Sequence, residues 1–384
     1  MDADLLSWCD EYLPDLYAVA MFDEEETADA VWEAVNRVAT ETILEYIEEV
    51  TEREELSDEL HATAREWFRG HHETILEAIP VASPTELLNR PQIKQHSAEW
   101  YSGRSSRLTA SEFANILDGR RNGLLRAKLN PPPDRSAGQP VGIAQPDGEM
   151  VATTWGHRFE PLTRQIYELE MAGVGTVCDT LGRFTHPSVP WLSATPDGVV
   201  LSGALAGRLV EIKSPKTRQP GEFVPLDYYI QMQLQMEVCD VDAVDFIEAQ
   251  FEQRPCVALT PEDEAAVSLS AWKGRVQVYG HQDLPESWMY RYSSPVEDLE
   301  DTVFAGPAPS LPLLENSVWW LTGWFPRTVL RNREWWTETG WPAAQMFWAS
   351  LLSLRSGAST STISHDEPKE KEPNEANGWI GSKY

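Results

Sequence analysis

The sequence contains few cysteines and no long apolar segment. Its four cysteines lie far apart and form no C-x-x-C pair, which argues against a disulfide framework and against a cysteine-based zinc site. No run of about 18 apolar residues occurs, and the first residues lack the basic start and apolar stretch of a signal peptide. We therefore expect a soluble, intracellular protein that is not secreted and has no membrane partner.

Basic residues are also scarce, because 31 Lys and Arg face 61 Asp and Glu and give a formal net charge of −30. Nucleic-acid binding depends on Lys and Arg, so this total argues against a DNA or RNA partner. The acidity is uneven, however. Residues 1–100 hold 25 acidic and 6 basic side chains, whereas residues 104–128 hold 6 basic and 2 acidic ones. The field that a substrate meets is local, and the basic stretch is compatible with DNA.

Periodicity and composition divide the chain into four predicted parts. They are an acidic helical module over 1–91, a mixed α/β core over 92–255, a tryptophan-rich extension packed on that core over 256–355, and a disordered polar tail over 356–384. A stretch rich in Pro, Gly and Asp over 130–148 predicts a loop inside the core.

Within these parts the patterns predict individual helices and strands. The predictions are a capped helix start at 83–86, a helix over about 154–171, strands within 175–186, 191–201 and 207–215, a helix over 227–239, a strand over 243–251 and a closing helix over about 343–354. After about residue 261 the pattern is weak until the segment 319–348, which holds seven of the sixteen tryptophans. That segment has few basic residues, so core packing or partner docking is favoured over base stacking.

Chemically reactive side chains are concentrated in two neighbouring predicted strands. Asp197 lies in a Thr-Pro-Asp-Gly segment, and Glu211-Ile212-Lys213 follows 14 residues later. Residues two apart on a strand share a face, so Glu211 and Lys213 point together. Two carboxylates on adjacent strands can hold Mg²⁺. The lysine could orient or deprotonate an attacking water or offset charge on a phosphate.

Two helices add polar groups to this set. Glu160 lies on the helix that precedes the strands and can supply a third carboxylate. On the later helix Gln231 and Gln235 are four apart and share a face, with Gln233 turned away. Each piece alone has an ordinary explanation as a turn, a solvated pair or a surface residue. Their joint order is what indicates a nuclease site.

The same residues fall into five ordered motifs over about 92–250. They are Trp100, Arg104 and Thr109-Ala110-Ser111; Trp155 to Glu160; Thr195 to Gly198; Glu211 to Pro215; and Tyr228, Gln231 and Gln233. This set resembles the YqaJ-like viral recombinase family, which includes phage lambda exonuclease and belongs to the PD-(D/E)xK nuclease superfamily. Thr195 replaces the usual serine and Ser214 the usual cysteine.

The resemblance implies a fold and a set of roles. The fold would be α/β, with a restriction-endonuclease-like core whose mixed central sheet is flanked by helices, and with helical N-terminal and Trp-rich C-terminal extensions. Metal would be bound by Asp197, Glu211, the carbonyl of Ile212 and Glu160. Lys213 would assist the attacking water, and Gln231 would support Lys213 or the substrate.

The resemblance also implies DNA contacts. Arg104 and Ser111 would hold the 5′ phosphate, and Arg107 and Gln233 would make further substrate contacts. Physical reasoning supports the first assignment, because Thr109 and Glu112 form a capping-box pattern whose helix N-terminus attracts anions. An arginine beside it can bind phosphate bidentately.

These features predict a Mg²⁺-dependent exonuclease, with Mn²⁺ able to substitute, that digests duplex DNA ends from 5′ to 3′. An endonuclease or RNase of the same fold, or an end-binding scaffold with weak or no cleavage, stays open. The expected partners are double-stranded DNA ends and a single-strand annealing or other recombination protein, in the cytoplasm or nucleus of a host. A ring-like trimer and a monomer are both compatible with the sequence. No G-x-x-x-x-G-K-[ST] motif is present, so an ATP-driven helicase has no support.

Overall fold

A computed structural model describes residues 83–95, 97–130, 152–171, 173–218, 224–282 and 284–356. Almost all of the predicted acidic module and tail, and most of the predicted loop over 130–148, lie outside these residues. The boundaries of the four parts stay predictions. Of the helices in the described ranges, none is both long enough and apolar enough to cross a bilayer.

The described elements up to Lys213 are five helices and seven short strands. They are α1 (Pro84–Asn89), β1 (Gln92–Ile93), α2 (Ala98–Ser102), β2 (Leu108–Thr109), α3 (Ala110–Leu117), α4 (Arg121–Leu129), α5 (Ala152–Glu170), β3 (Val177–Cys178), β4 (Arg183–Thr185), β5 (Leu192–Ala194), β6 (Gly198–Val200) and β7 (Leu209–Lys213). At the start of α1 the side chain of Ser83 makes no capping bond, and Pro84 occupies the first turn, where its missing N–H costs nothing.

Longer strands follow. In chain order these elements are α6 (Leu226–Cys239), β8 (Ala243–Pro255), α7 (Pro261–Leu269), β9 (Lys273–His281), β10 (Leu284–Tyr292) and β11 (Leu313–Leu330). The last three are α8 (Arg333–Trp335), a π-helical turn (Trp336–Gly340) and α9 (Trp341–Arg355). The predicted helices over 154–171, 227–239 and 343–354 and the strand over 243–251 are confirmed.

The strands form two sheets. The larger has the order β10-β9-β11-β8-β7-β6-β3, and the smaller has the order β1-β4-β5-β2. In the larger sheet β7 and β8 are parallel and α6 connects them, as expected when the chain must cross over between parallel neighbours. The described residues therefore form a mixed α/β fold with helices against a central sheet, which confirms the predicted fold class.

Two predicted strands are each broken in two, and the halves lie in different sheets. The segment 175–186 forms β3 in the larger sheet and β4 in the smaller one, and 191–201 forms β5 in the smaller sheet and β6 in the larger one. The breaks cover residues 179–182 and 195–197, and the second contains Pro196 and Asp197. Proline cannot donate to a strand ladder, so the chain changes sheet at this point and Asp197 lies at the crossing.

The weak pattern after residue 261 conceals long strands. β11 is 18 residues long although it contains Gly323 and Pro326, residues that normally argue against a strand. Both lie in the part of β11 that pairs with β8 alone, beyond its pairing with β9, and the register shifts between Leu321 and Gly323. Among the strands that the structure describes, none pairs with the other side of this half, so proline is tolerated there.

The seven tryptophans of 319–348 pack against hydrophobic clusters. Trp319 and Trp320 on β11 are buried, and the five others are partly buried against the same clusters. On α9, Trp348 stacks on Trp191 with ring centroids 4.9 Å apart. Ala344, Phe347 and Leu351 of α9 enter the main core. The structure therefore favours core packing for this segment.

Two adjacent leucines of α9 test this packing. Leu351 is fully buried and Leu352 is half exposed. We expect Leu351→Ala to lower the free energy of unfolding by about 2–5 kcal/mol, because the lost side chain leaves a cavity. Leu352→Ala is the matched control and should change it by less than about 0.5 kcal/mol. Urea denaturation measures both, and equal losses would contradict the packing of α9 on the core.

Candidate active site

The side chain of Asp197 is hydrogen-bonded to the backbone of β7. The N–H of Ile212 donates to Oδ2 of Asp197 at 2.8 Å. β6, which follows Asp197, pairs antiparallel with β7, so the turn that carries Asp197 is held beside the strand that carries Glu211 and Lys213. The alternation of β7 places Ile212 in a hydrophobic cluster and leaves Glu211 and Lys213 on the opposite face.

Glu211 is completely buried and its carboxylate is surrounded by donors. Lys213 forms an ion pair with Oε1. From α6, Nε2 of Gln231 donates to Oε1 at 2.6 Å and Nε2 of Gln235 donates to Oε2 at 2.7 Å. The expected common face of Gln231 and Gln235 is thus observed, and Gln231 contacts Glu211 rather than Lys213. A buried carboxylate is stable only with such compensation.

Lys213 is half-buried and lies over the ring of Tyr228, with Nζ 4.9 Å from the ring centroid. Burial would lower the pKa of Lys213, but the charges of Glu211 and Asp197 outweigh it and raise that pKa. The ring adds a cation–π contact. The lysine is therefore held in its charged form.

The pKa of Asp197 is well above its usual range. Burial is the largest cause, and the charges of Glu211 and Glu160 add to it, while Lys213 acts in the opposite direction. Glu160 is thus near enough to act on Asp197 electrostatically. Its own side chain is 41% exposed, with Oε2 3.8 Å from Nδ1 of His157, and this contact raises the pKa of His157.

Ser214, which stands in place of the family's usual cysteine, ties the end of β7 to the helix of Glu160. Its buried hydroxyl is 3.0 Å from the hydroxyl of Thr163, which donates to the carbonyl of Phe159 on α5. The serine hydroxyl thus contacts Thr163, and Ser214 is not one of the residues that surround the carboxylates.

The carboxylates of Asp197 and Glu211 are donors of the kind that Mg²⁺ accepts. Within the described ranges, no three His, Cys, Asp or Glu side chains lie close enough together to form a metal-binding group. Mg²⁺ is commonly held by one or two carboxylates, with water and substrate phosphate as the remaining ligands. Asp197 and Glu211 supply two carboxylates, and accumulated negative charge at Asp197 is a condition that a divalent cation relieves.

A group of basic side chains lies near this site because two short strands run parallel. We call this group, which contains Arg104, Arg107 and Lys128, the basic pocket. Thr109 of β2 lies opposite Ser193 of β5. Both strands therefore end at the same edge, where β2 leads into α3 and β5 leads into the turn of Asp197. At the start of α3, Ser111 is exposed and the carboxylate of Glu112 accepts from the backbone N–H of Thr109 at 3.2 Å.

Cations surround Glu112. Nζ of Lys128 lies 2.7 Å from its Oε2, and Nη2 of Arg104 lies 3.5 Å from its Oε1. Burial would raise the pKa of Glu112, but Lys128 and Arg104 outweigh it and lower that pKa. Lys128 is buried, whereas the side chain of Arg104 is 40% exposed and lies over Trp100. Arg104 is thus the cation of this pair that a ligand can reach.

Arg183 joins this pocket and was not predicted from the sequence. Its buried guanidinium donates to the carbonyl of Trp100 at 2.6 Å, and its pKa is lowered to about 10, first by burial and then by the charges of Arg107 and Arg104. No described residue accepts a hydrogen bond from Nε of Arg107 or of Arg183. A methyl group at Gly103 would collide with Arg183 and come within 3.0 Å of Nη1 of Arg107. Arg183 comes from a distant strand, so no local pattern announces it.

Gln233 does not face either site. Its amide is buried, donates to the carbonyl of Leu330 at 2.7 Å and accepts from the N–H of Asn332 at 2.7 Å. It therefore connects α6 to the end of β11. The predicted substrate contact of Gln233 has no support in this geometry, because helical spacing turns it away from Gln231 and Gln235.

Curated proteins offer one distant relative of part of this chain. Uncharacterized protein R354 of Acanthamoeba polyphaga mimivirus is 24% identical over 184 residues, which cover 42% of this chain and 30% of the relative. The chain thus spans less than a third of the length of that protein.

Solved structures of exonucleases resemble the described fold at low similarity. The alkaline exonuclease LHK-Exo of Laribacter hongkongensis is 18% identical with a TM-score of 0.38, and the match covers 68% of this chain and 98% of that one. A phage-related exonuclease from Haemophilus somnus 129PT is 13% identical with a TM-score of 0.35, covering 65% and 96%.

The family model of the YqaJ-like viral recombinase domain matches residues 99–242. These residues include Arg104, Glu160, Asp197 and the segment Glu211 to Lys213. Residues 99–242 are therefore similar to the YqaJ-like viral recombinase domain, which confirms the resemblance that the sequence motifs indicate.

Proposed function

We propose that this protein is a Mg²⁺-dependent DNA exonuclease, with Mn²⁺ able to substitute. It would digest one strand of a duplex end from 5′ to 3′ and leave a 3′ overhang for recombination, repair or viral genome processing. The observation that carries the proposal is the bonded set of Asp197, Glu211 and Lys213 beside a basic pocket at the same sheet edge. The match of residues 99–242 to a viral recombinase domain supports it.

Asp197 and Glu211 would hold the metal, with the carbonyl of Ile212 as a third ligand. Glu160 is the exposed member and would act through water. When bound, Mg²⁺ supplies a more acidic water and stabilises the departing 3′ oxygen. Gln231 and Gln235 fix the orientation of Glu211, so its carboxylate needs little rearrangement before the reaction.

Lys213 would act as a cation in this reaction. The carboxylates around it raise its pKa, which makes it a poor base at neutral pH but a good donor. Its ammonium group would orient the attacking water and offset charge that develops on the phosphate. Tyr228 restricts where that group can go.

The basic pocket would bind the 5′ phosphate. Arg104 and Ser111 face solvent at the start of α3, and Arg107 and Arg183 add positive charge behind them. A phosphate there would add an acceptor to a group of arginines in which Nε of Arg107 and Nε of Arg183 have none among the described residues. Because the pocket lies beside the turn of Asp197, a bound 5′ end would place a nearby phosphodiester bond at the carboxylates.

The proposal includes the wider setting of the reaction. Double-stranded DNA ends would be the substrate, and a single-strand annealing or other recombination protein would receive the overhang. The protein would act inside the host cell, as a ring-like trimer or a monomer. The acidic first hundred residues would keep DNA on the basic stretch, compete with DNA as a mimic, or bind a basic partner.

A cleavage assay tests the proposed activity. With Mg²⁺ and linear duplex labelled at either end, we expect early release of the 5′ label only, and loss of activity when EDTA removes the metal. Closed circular DNA and RNA are the controls. Nicked circles would indicate an endonuclease, cleaved RNA an RNase, and binding without cleavage a scaffold, and each would contradict the proposal.

The substitution Asp197→Asn tests the metal site. We expect cleavage to fall by about 100-fold or more, since a bound metal contributes several kcal/mol to the transition state. The fold should survive, because burial and like charges already disfavour the ionised carboxyl and the amide oxygen can still accept from Ile212. Without metal, the variant should melt no lower than the wild type. Asp242→Asn, the same change at a partly buried residue that pairs with Arg333 before β8, is the matched control, and a fully active Asp197→Asn would disprove the assignment.

The substitution Arg104→Ala tests the phosphate pocket. We expect the preference for a 5′-phosphorylated end over a 5′-hydroxyl end to fall about tenfold, the effect of losing a charge-assisted hydrogen bond. The rate ratio of the two substrates is the measurement. Arg254→Ala, at the far end of β8, is the control. An unchanged ratio for Arg104→Ala would remove this arginine from the pocket.

A further inference from the structure

Glu248 is a completely buried carboxylate that the proposed reaction does not use. It lies on β8, directly opposite Lys213 in the parallel pairing of β7 with β8. Neighbouring strands in a sheet are about 4.8 Å apart, so the two side chains start from adjacent positions.

The two side chains also point to the same side of the sheet. On β8 the ring of Phe246 contacts Tyr228 of α6, with centroids 5.8 Å apart, whereas Asp245 accepts from Tyr167 of α5. Side chains alternate along a strand, so Glu248 shares the α6 side with Phe246. Lys213 lies on that side too, since it contacts Tyr228. Lys213 is thus paired with Glu211 and has Glu248 as its neighbour on the same face of the sheet.

Arg218 engages the second carboxylate. It follows Lys213 by five residues, and its guanidinium binds both oxygens of Glu248, with Nη1 3.2 Å from Oε2 and Nη2 on Oε1. This fork-to-fork pairing is the strongest that a carboxylate makes with a side chain. The side chain of Arg218 is 43% exposed, so the pair has one buried and one solvated member.

We propose that Arg218 is a positioning residue for Lys213. By neutralising Glu248, it leaves Glu211 and Asp197 as the carboxylates that hold the ammonium group at the reacting phosphate. The inference rests on the proposed nuclease function and adds a residue to it. Arg218 acts through Lys213 and need not touch DNA.

Charge balance gives the physical reason. Removing a charged partner from a buried carboxylate is costly, and a cation already nearby can compensate for the loss. If Arg218 lost its charge, Lys213 could turn toward Glu248 without leaving the face that it occupies. It would then sit one strand away from Glu211 and from the substrate.

A double-substitution experiment tests this inference on the full-length protein. In Arg218→Met we expect kcat on 5′-phosphorylated duplex to fall about tenfold, with an unchanged KM for DNA ends, a coupling of ordinary size for side chains in contact. Glu248→Gln removes the competing charge and should stay within about threefold of the wild type. The double variant should recover to the level of Glu248→Gln.

Other outcomes overturn the inference. A double variant as slow as Arg218→Met, or a raised KM, would mean that Arg218 acts on the substrate itself. An unaffected Arg218→Met would show that Lys213 needs no such protection, and a slow Glu248→Gln would show that the pair shapes the chain instead. An inactive wild type would refute the nuclease proposal separately.

Two further variants guard against misfolding. Arg218→Lys keeps the charge beside Glu248 and should retain most of the activity, even if Arg218→Met lowers the melting temperature. Arg333→Met makes the same chemical change in an exposed arginine. Arg333 pairs with Asp242, the residue before the start of β8. This variant should leave kcat unchanged, and a similar loss in this control would also overturn the inference.

Discussion

The buried carboxylate of Glu211 is the group around which the rest of the site is arranged. An ionised carboxylate in a sheet interior is stable only when donors meet it, and here an ammonium group and two amides do so. Those donors require α6 to lie across β7, and this in turn requires the parallel pairing of β7 with β8 that α6 connects. The need to satisfy one charge thus accounts for the position of a helix and for the order of the central strands.

The same reasoning explains how an acidic protein can carry a local positive surface. The formal charge of −30 describes the whole sequence, yet near the start of α3 burial and then the charges of Arg107 and Arg104 lower the pKa of Arg183. Like charges gathered in one place are stable when an anion joins them. The carboxylates beside them carry an excess of negative charge, which a bound cation would balance. Metal and phosphate would therefore bind next to each other at one edge of the fold.

Much of the fold was accessible to sequence reasoning, and the failures have physical causes. The bounds of α5, α6 and α9 agree with the prediction within a few residues, because each is a continuous segment of helical length that is rich in apolar side chains. The sequence predicts two strands within 175–201, whereas the structure has four. A run of strand-forming residues does not reveal that the chain changes sheet at Pro196. β11 was missed because Gly323 and Pro326 weaken its pattern, and the sheet tolerates them only where the strand has a single neighbour.

The sequence by itself determined which side chains share a face, because that depends only on local geometry. Glu211 with Lys213 on a strand, and Gln231 with Gln235 on a helix, follow from periods of 2 and 3.6 residues. Only the tertiary structure decided which faces meet. It brings Arg183 to Trp100, turns Gln233 to the backbone of β11, and sets Glu248 opposite Lys213. These contacts join residues far apart in the chain, and strand register and helix packing decide them.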